Sequence, residues 1–287
     1  MDVSAFFQPP EILTARRALC IQPHPDDNEI GMGGTVAALA ARGCEVHYLT
    51  VTNGDLGQPA EPMDPEALAD LRREETVAAG RALGAKEFHF FGEPDGSLES
   101  VPALAGKIAE LIRSVQPDVV FCPDPWARYE AHFDHVTTGR AAAQAFLSAP
   151  LAQYPRGTQT APWQPSAIGF YFTQEPNVVV DVTDTFETKF TAMALHRSQL
   201  SEAAARPVPC VFHDAGAAAC AGKRLRPRRG TQGAFAAASA LLHRSADHRH
   251  AAIKKRETPC GVSLFFILVS LPDTAHACRE KRSGSPR

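Results

Sequence analysis

Apolar residues along the chain cluster into short runs, separated by longer segments in which they recur at helical spacing. Residues 18–23 (ALCIQP) form the first run, and 45–52 (EVHYLTVT) is rich in the β-branched and aromatic side chains that suit a pleated surface. Further strands are predicted at 87–91, 118–122, 168–173 and 178–182. Between them, 33–42, 65–83, 103–115, 134–147 and 184–200 read as helices, and Gly84 supplies a stop signal for the second. Strands alternating with helices of this length imply βαβ units. The expected fold class is therefore α/β and Rossmann-like, a mainly parallel sheet with helices on both faces. Ligands in such sheets bind beyond the carboxyl ends of the strands. The polar residues after the first strand (24–29) and after the fourth (124–135) should meet on that edge.

The alternation stops near residue 205. Beyond it come an Arg/Pro/Gly cluster (KRLRPRRG), an Ala-rich patch and a His/Arg run (HRSADHRH), with no sustained period. The expected organisation is a domain over 1–205 and a basic, low-order tail over 206–287. That tail reads either as a flexible segment or as a stretch outside the natural frame of the gene, and the abrupt change favours the second. Charge sharpens this division. Of 29 Lys and Arg and 32 Asp and Glu, 15 basic and 5 acidic residues fall from Arg206 onward, so a segment of net −13 precedes one of net +10. Basic runs are usually solvated, and nucleic acid is not the expected partner.

With 44% hydrophobic and 21% charged residues, the chain has an ordinary globular composition. Seven cysteines, an odd number with no CxxC pair, read as reduced thiols, and Cys20, Cys44 and Cys122 sit in or beside apolar runs. No charged-then-apolar signal segment opens the chain, and the most apolar stretch, 262–271, is about half the length of a membrane helix. The expected compartment is the cytoplasm, with no membrane span.

The chemistry concentrates in two short motifs. His24-Pro25-Asp26-Asp27-Asn28-Glu29 crowds three carboxylates and an imidazole directly after a strand, and a cation would relieve the repulsion among them. A hydrolytic zinc needs three protein ligands and one open position. His132-Phe133-Asp134-His135 could supply the third, with one histidine ligating and the other free nearby. A set of two histidines and one aspartate suits zinc, and also iron or cobalt.

These residues resemble the PIG-L/LmbE-like deacetylases, which carry a HPDDxE loop after the first strand and a later HxDH element. Here they read HPDDNE and HFDH. The similarity extends to GMGGT (31–35), VTNGDLG (51–57), Arg72 with Glu75, PDGSL (94–98), PDPW (123–126) and HRSQ (196–199), covering roughly 15–202. Among subgroups the chain looks most similar to the diacetylchitobiose and N-acetylglucosaminyl deacetylases. The resemblance implies a zinc-dependent N-deacetylase acting on a small-molecule amino sugar, with Zn2+ (alternatively Fe2+ or Co2+) held by His24, Asp27 and His135. It implies Asp26 as general base and His132, protonated, as stabiliser of the oxyanion or acid toward the amine. Arg72 and Asp95 align with positions that hold sugar hydroxyls, and a homo-oligomer is implied as well. Phe133 stands where relatives commonly have proline.

Other residues carry weaker expectations. Asp134 could orient His132 or a ligand imidazole from outside the ligand set. Glu29 could close its motif by bonding backbone amides. Tyr129 and Trp126 could line the sugar subsite or be buried at the strand end. Gly31, Gly33 and Gly34 read as close helix–sheet packing rather than a dinucleotide loop, because the preceding loop is acidic. His196, on the predicted last helix, is expected to be structural or to stand behind a site residue, and His47 and His89 fall inside strands. An amidase acting on a sugar-linked conjugate and a sugar-binding relative without catalysis are the alternative functions.

Overall fold

The computed structural model describes residues 11–200 and the strand residues 263–270. Seven strands form one sheet in the order β3-β2-β1-β4-β5-β7-β6. Strands β1 (Arg17–Gln22), β2 (Glu45–Thr52), β3 (Glu87–Glu93), β4 (Val119–Pro123) and β5 (Ala167–Tyr171) run parallel. Strand β7 (Ser263–Ser270) pairs antiparallel with both β5 and β6 (Val178–Asp181). The apolar run near residue 265 thus completes the sheet. The remainder of the expected tail, and its boundary near 205, lie outside the described residues.

Both faces are covered, and strand periodicity explains how. On β1, Ala18 and Cys20 point into a core shared with α1 (Asp27–Ala41) and α2 (Pro65–Ala82), while Leu19 and Ile21 point into a second core with α3 (Val101–Val115) and α4 (Phe133–Ser148). The first core also takes in Ala192 of the short α5 (Phe186–Met193). In α3, Leu104, Ile108 and Ile112 recur every four residues and are fully buried, each contributing about 1.5–3 kcal/mol. Helix α2 starts where the Asp64 side chain accepts from Glu66 N at 3.2 Å, with Pro65 in its first turn, and it stops just before Gly84, whose φ is +91°.

Two boundaries differ from expectation in ways that matter for the site. Helix α1 begins at Asp27, so only the first half of the acidic motif is a loop: Asp27 and Glu29 occupy the first helical turn, where the helix dipole favours anions. Helix α5 ends at Met193, and His196 and Gln199 lie in a following turn, with His196 N donating to Met193 O at 3.1 Å. The small-residue stretch of α1 is packed as expected. A Cβ on Gly31 would come within 2.5 Å of Tyr171 Cδ2, and one on Gly34 within 2.9 Å of Val182 Cβ. Chain order reverses between β1 and β4, and the crevice beyond their carboxyl ends is where the two chemistry-bearing motifs stand.

Candidate active site

Asp26 is the N-cap of α1 and has φ 110°, ψ −21°, a left-handed conformation that costs a non-glycine residue about 1–3 kcal/mol. Neighbouring bonds impose it. Arg72 Nη2 donates to Pro25 O at 2.6 Å and reaches Asp26 Oδ2 at 3.4 Å, while Nη1 donates to Gly54 O at 2.8 Å. From the sheet side, Asn28 N donates to Gln22 Oε1 at 2.9 Å, and Gln22 is itself bonded to Thr50 Oγ1. Arg72, expected at sugar hydroxyls, is therefore buried with both terminal nitrogens engaged, and it braces the loop and Asp26.

The two motifs converge. Asp27 meets two imidazoles through different oxygens: Oδ2 lies 3.2 Å from His24 Nδ1, and Oδ1 lies 3.4 Å from His135 Nε2. His132, the N-cap of α4, closes the group, with its ring centroid 4.5 Å from that of His24 and 4.7 Å from that of His135. Ring nitrogens of His24, His132 and His135 all fall within 4.8 Å of one another, as do donor atoms of His24, Asp95 and Asp134.

Outer contacts hold these rings. His24 Nε2 lies 3.1 Å from Asp134 Oδ2 and 3.3 Å from Asp95 Oδ1, and the fully buried Asp134 also accepts from Gly96 N at 2.8 Å. Asp95, expected at sugar hydroxyls, thus touches a site imidazole. Glu130, which sequence reasoning passed over, accepts from His132 N at 2.7 Å and lies 3.3 Å from His135 Nδ1. Its signal was its place five residues before His135, on the loop that carries the second motif. Glu29 bonds no backbone amide in the manner expected. Its Oε2 sits 3.1 Å from His196 Nε2, with both side chains fully buried.

Charge follows geometry. Burial alone would lower the pKa of His24, but its contacts with Asp134, Asp27 and Asp95 outweigh this and push it to about 11. Burial would raise the Asp27 carboxyl, yet His135 and His24 hold it well below the usual range. Asp26 is pushed up to about 7, by burial first and by Asp27 next, against the pull of Arg72. Burial, His24 and His135 together lower the pKa of His132, a direction that works against the resting imidazolium expected from sequence.

These residues fit a divalent cation. A four-coordinate zinc with N and O donors at about 2.0–2.1 Å separates its donors by about 3.3–3.4 Å. Asp27 comes within 3.2 Å of His24 Nδ1 and 3.4 Å of His135 Nε2 through different oxygens, while the three-residue sets whose single donor atoms all lie within 4.8 Å of one another are His24–His132–His135 and His24–Asp95–Asp134. His24 Nε2 faces two carboxylates, so the proton belongs there and Nδ1 is left to ligate beside Asp27.

The rim is aromatic. Trp126, Tyr129 and Phe133 are each more than 60% exposed, so neither Trp126 nor Tyr129 is a buried strand-end residue. Phe172 lies parallel to the His135 ring at 6.1 Å. A cavity of about 420 Å³ beside Pro25, lined also by Asn53, Asp55, Arg73 and Phe90, contains none of the site histidines. Among the described residues, no helix is long and apolar enough to cross a membrane.

Comparison with known proteins agrees with this geometry. The PIG-L profile, GlcNAc-PI de-N-acetylase, matches residues 19–146. The diacetylchitobiose deacetylase of Thermococcus kodakarensis is 37% identical over 190 residues, spanning 65% of this chain and 71% of the relative. A probable N-acetyl-alpha-D-glucosaminyl L-malate deacetylase of Bacillus cereus is 31% identical over 193 residues, spanning 64% and 84%. The N,N'-diacetylchitobiose deacetylase of Pyrococcus horikoshii, solved with its inhibitor MPG, superposes with a TM-score of 0.66 at 36% identity, covering 70% of this chain and 77% of that one. The chain belongs to the PIG-L family.

Proposed function

We propose that the protein hydrolyses the N-acetyl group of an N-acetylglucosamine-type sugar or glycoconjugate, releasing acetate and the free amine. The observation that carries this reading is the convergence of His24, Asp27, His132 and His135, with Asp26 beside them, on the carboxyl edge of the sheet. The names of the relatives, all amino-sugar deacetylases, support the substrate class.

His24, Asp27 and His135 would hold the metal, and zinc is the proposed ion because two imidazoles and one carboxylate suit it; iron(II) and cobalt(II) share that donor preference. A divalent cation bound there polarises the acetamide carbonyl and brings the pKa of water toward neutrality. Asp26, held by Arg72, accepts the proton that the attacking water loses as the new C–O bond forms. His132 offers an N–H to the oxyanion, and the departing nitrogen takes the proton that Asp26 received from the water, directly or through the free nitrogen of His132, as the C–N bond breaks. Asp134 and Asp95 hold His24, and Glu130 holds His135, so the two ligand rings keep their orientation. Tyr129 and Trp126 are assigned to the sugar because both stand exposed on the loop that leads into His132. No nucleic acid is assigned as partner. The proposed compartment is the cytoplasm, where buried thiols such as Cys20, Cys44 and Cys122 stay reduced.

The test is to incubate the protein with N-acetylglucosamine and N,N'-diacetylchitobiose and to quantify acetate and primary amine, before and after chelation and zinc return. Equal yields of both products, lost on chelation and restored by zinc, are expected. Release of a larger acid from a sugar-linked amide, with no acetate, would move the assignment to an amidase.

A further inference from the structure

Three of the four chemistry-bearing residues in the His196–Gln199 turn reach elements that hold the acidic motif, although none belongs to the site itself. His196 Nε2 lies 3.1 Å from Glu29 Oε2, two residues into α1 from Asp27. Ser198 gives two bonds to Glu75 of α2, its backbone N to Oε1 at 2.9 Å and its hydroxyl to Oε2 at 2.6 Å. Glu75 lies one turn along α2 from Arg72, the residue that binds Pro25 O and Asp26. Gln199 packs against the 53–57 loop: a Cβ on Gly57 would come within 2.7 Å of its Oε1. Gly54 of that loop accepts the other Arg72 nitrogen.

Two routes therefore run from this turn to Asp26. One passes through Glu29 and the first turn of α1, and the other through Glu75, α2 and Arg72. We propose that the His196–Gln199 turn is the positioning element for Asp26, clamping α1 through His196–Glu29 and α2 through Ser198–Glu75 so that the strained N-cap keeps its carboxylate in place. This inference rests on the reading of Asp26 as the base.

Packing alone would not require charge here, yet every acid in the cluster has its own polar partner. Glu29 takes His196, Asp26 takes Arg72, Glu75 takes Ser198, and Asp27 takes His24 and His135. Burial would lower the pKa of His196, but Glu29 first, then Asp26 and Glu75, raise it. A buried polar pair with few other partners in reach has little freedom to slide. Displacement of a reacting group by about 1 Å can cost about 10²-fold in rate. A clamp that sets the place of Asp26 should thus act on kcat and spare substrate binding.

The experiment compares the wild type with His196→Leu, His196→Gln, Ser198→Ala and Glu29→Gln in the full chain. His196→Leu is expected to lower kcat about 10²-fold with KM within twofold and zinc stoichiometry unchanged. His196→Gln, whose amide can still donate to Glu29, is expected to recover at least tenfold of that loss, and Ser198→Ala to lower kcat only a few fold because its backbone bond to Glu75 remains. Independently of activity, ¹H–¹⁵N spectra of the metal-free protein should show a hydrogen-bonded His196 side-chain N–H in the wild type whose signal shifts in Glu29→Gln. The clamp is overturned if folded His196→Leu keeps kcat within threefold. It is equally overturned if the lost activity follows the folded fraction with no rescue by Gln, or if no hydrogen-bonded His196 side-chain N–H is found in the wild type. Wild-type protein that shows the His196–Glu29 bond but releases no acetate contradicts the deacetylase reading, and with it the assignment of Asp26 as the residue being positioned.

Discussion

Asp134→Asn tests whether carboxylates behind the ligands set the affinity of the site for metal. Asp134 is fully buried, and Oδ2 faces both His24 Nε2 at 3.1 Å and Gly96 N at 2.8 Å. The substitution keeps volume and shape but removes the charge. An asparagine oxygen could satisfy either donor as a neutral acceptor, while its amide would face a donor if flipped. Hydrogen bonds to a charged group contribute about 1.5–3 kcal/mol, roughly twice a neutral one, so the imidazole loses about 1–2 kcal/mol of orienting interaction. Loss of such partners typically costs 10–100-fold in metal affinity, about 1.4–2.8 kcal/mol, which agrees in size. Asp95→Asn is the internal control. Its contact with His24 is longer, at 3.3 Å, and its side chain more exposed, so a smaller loss is expected. The assay is competition against a chromophoric chelator at fixed pH, with circular dichroism to establish folding. Zinc affinity of folded Asp134→Asn within twofold of wild type would refute the reasoning, as would a larger loss in Asp95→Asn.

Two further predictions concern stability. Lys189 is buried with Nζ donating to Ile30 O at 2.7 Å, and burial pushes its pKa down to about 8. Between that value and its ordinary 10.5 the unfolded chain binds the extra proton, so stability rises with pH across this window by up to about 1.4 kcal/mol per unit. Urea denaturation at pH 8 and pH 9.5 should show this gain in the wild type and a reduced gain in Lys189→Met; equal gains would remove the buried ammonium from the account. Gly139→Ala places a Cβ 2.5 Å from Pro123 O, a backbone atom at the end of β4, and should destabilise by about 1–3 kcal/mol. An unchanged melting temperature would contradict the packing.

How much of this was legible in sequence depended on how local each cause was. The five parallel strands were readable because β-branched runs such as 45–52 alternate with helices long enough to cross the sheet. That the two motifs share an edge then followed from topology alone. The start of α1 reads as a loop in sequence because its first turn is acidic and the next holds Gly31, Gly33 and Gly34, composition that signals a turn. Its capture as helix depends on Arg72, 46 residues from Asp26 in sequence, holding the N-cap. Strand β7 was missed because a strand that joins β5 across nearly a hundred residues leaves only an apolar run as its trace. Contacts such as His196–Glu29, separated by 167 residues, have no local signature at all, and Arg72 and Glu130 could be placed only by seeing which atoms they reach.

The measurement that bears most directly on the central claim uses purified wild type and Asp26→Asn, quantifying zinc per chain and acetate released from N,N'-diacetylchitobiose in the same samples. About one zinc per chain in both proteins, with acetate release in the wild type and a loss of at least 10²-fold in the variant, is the predicted result. Folded wild-type protein that binds no zinc, or an Asp26→Asn variant that releases acetate at the wild-type rate, would contradict it.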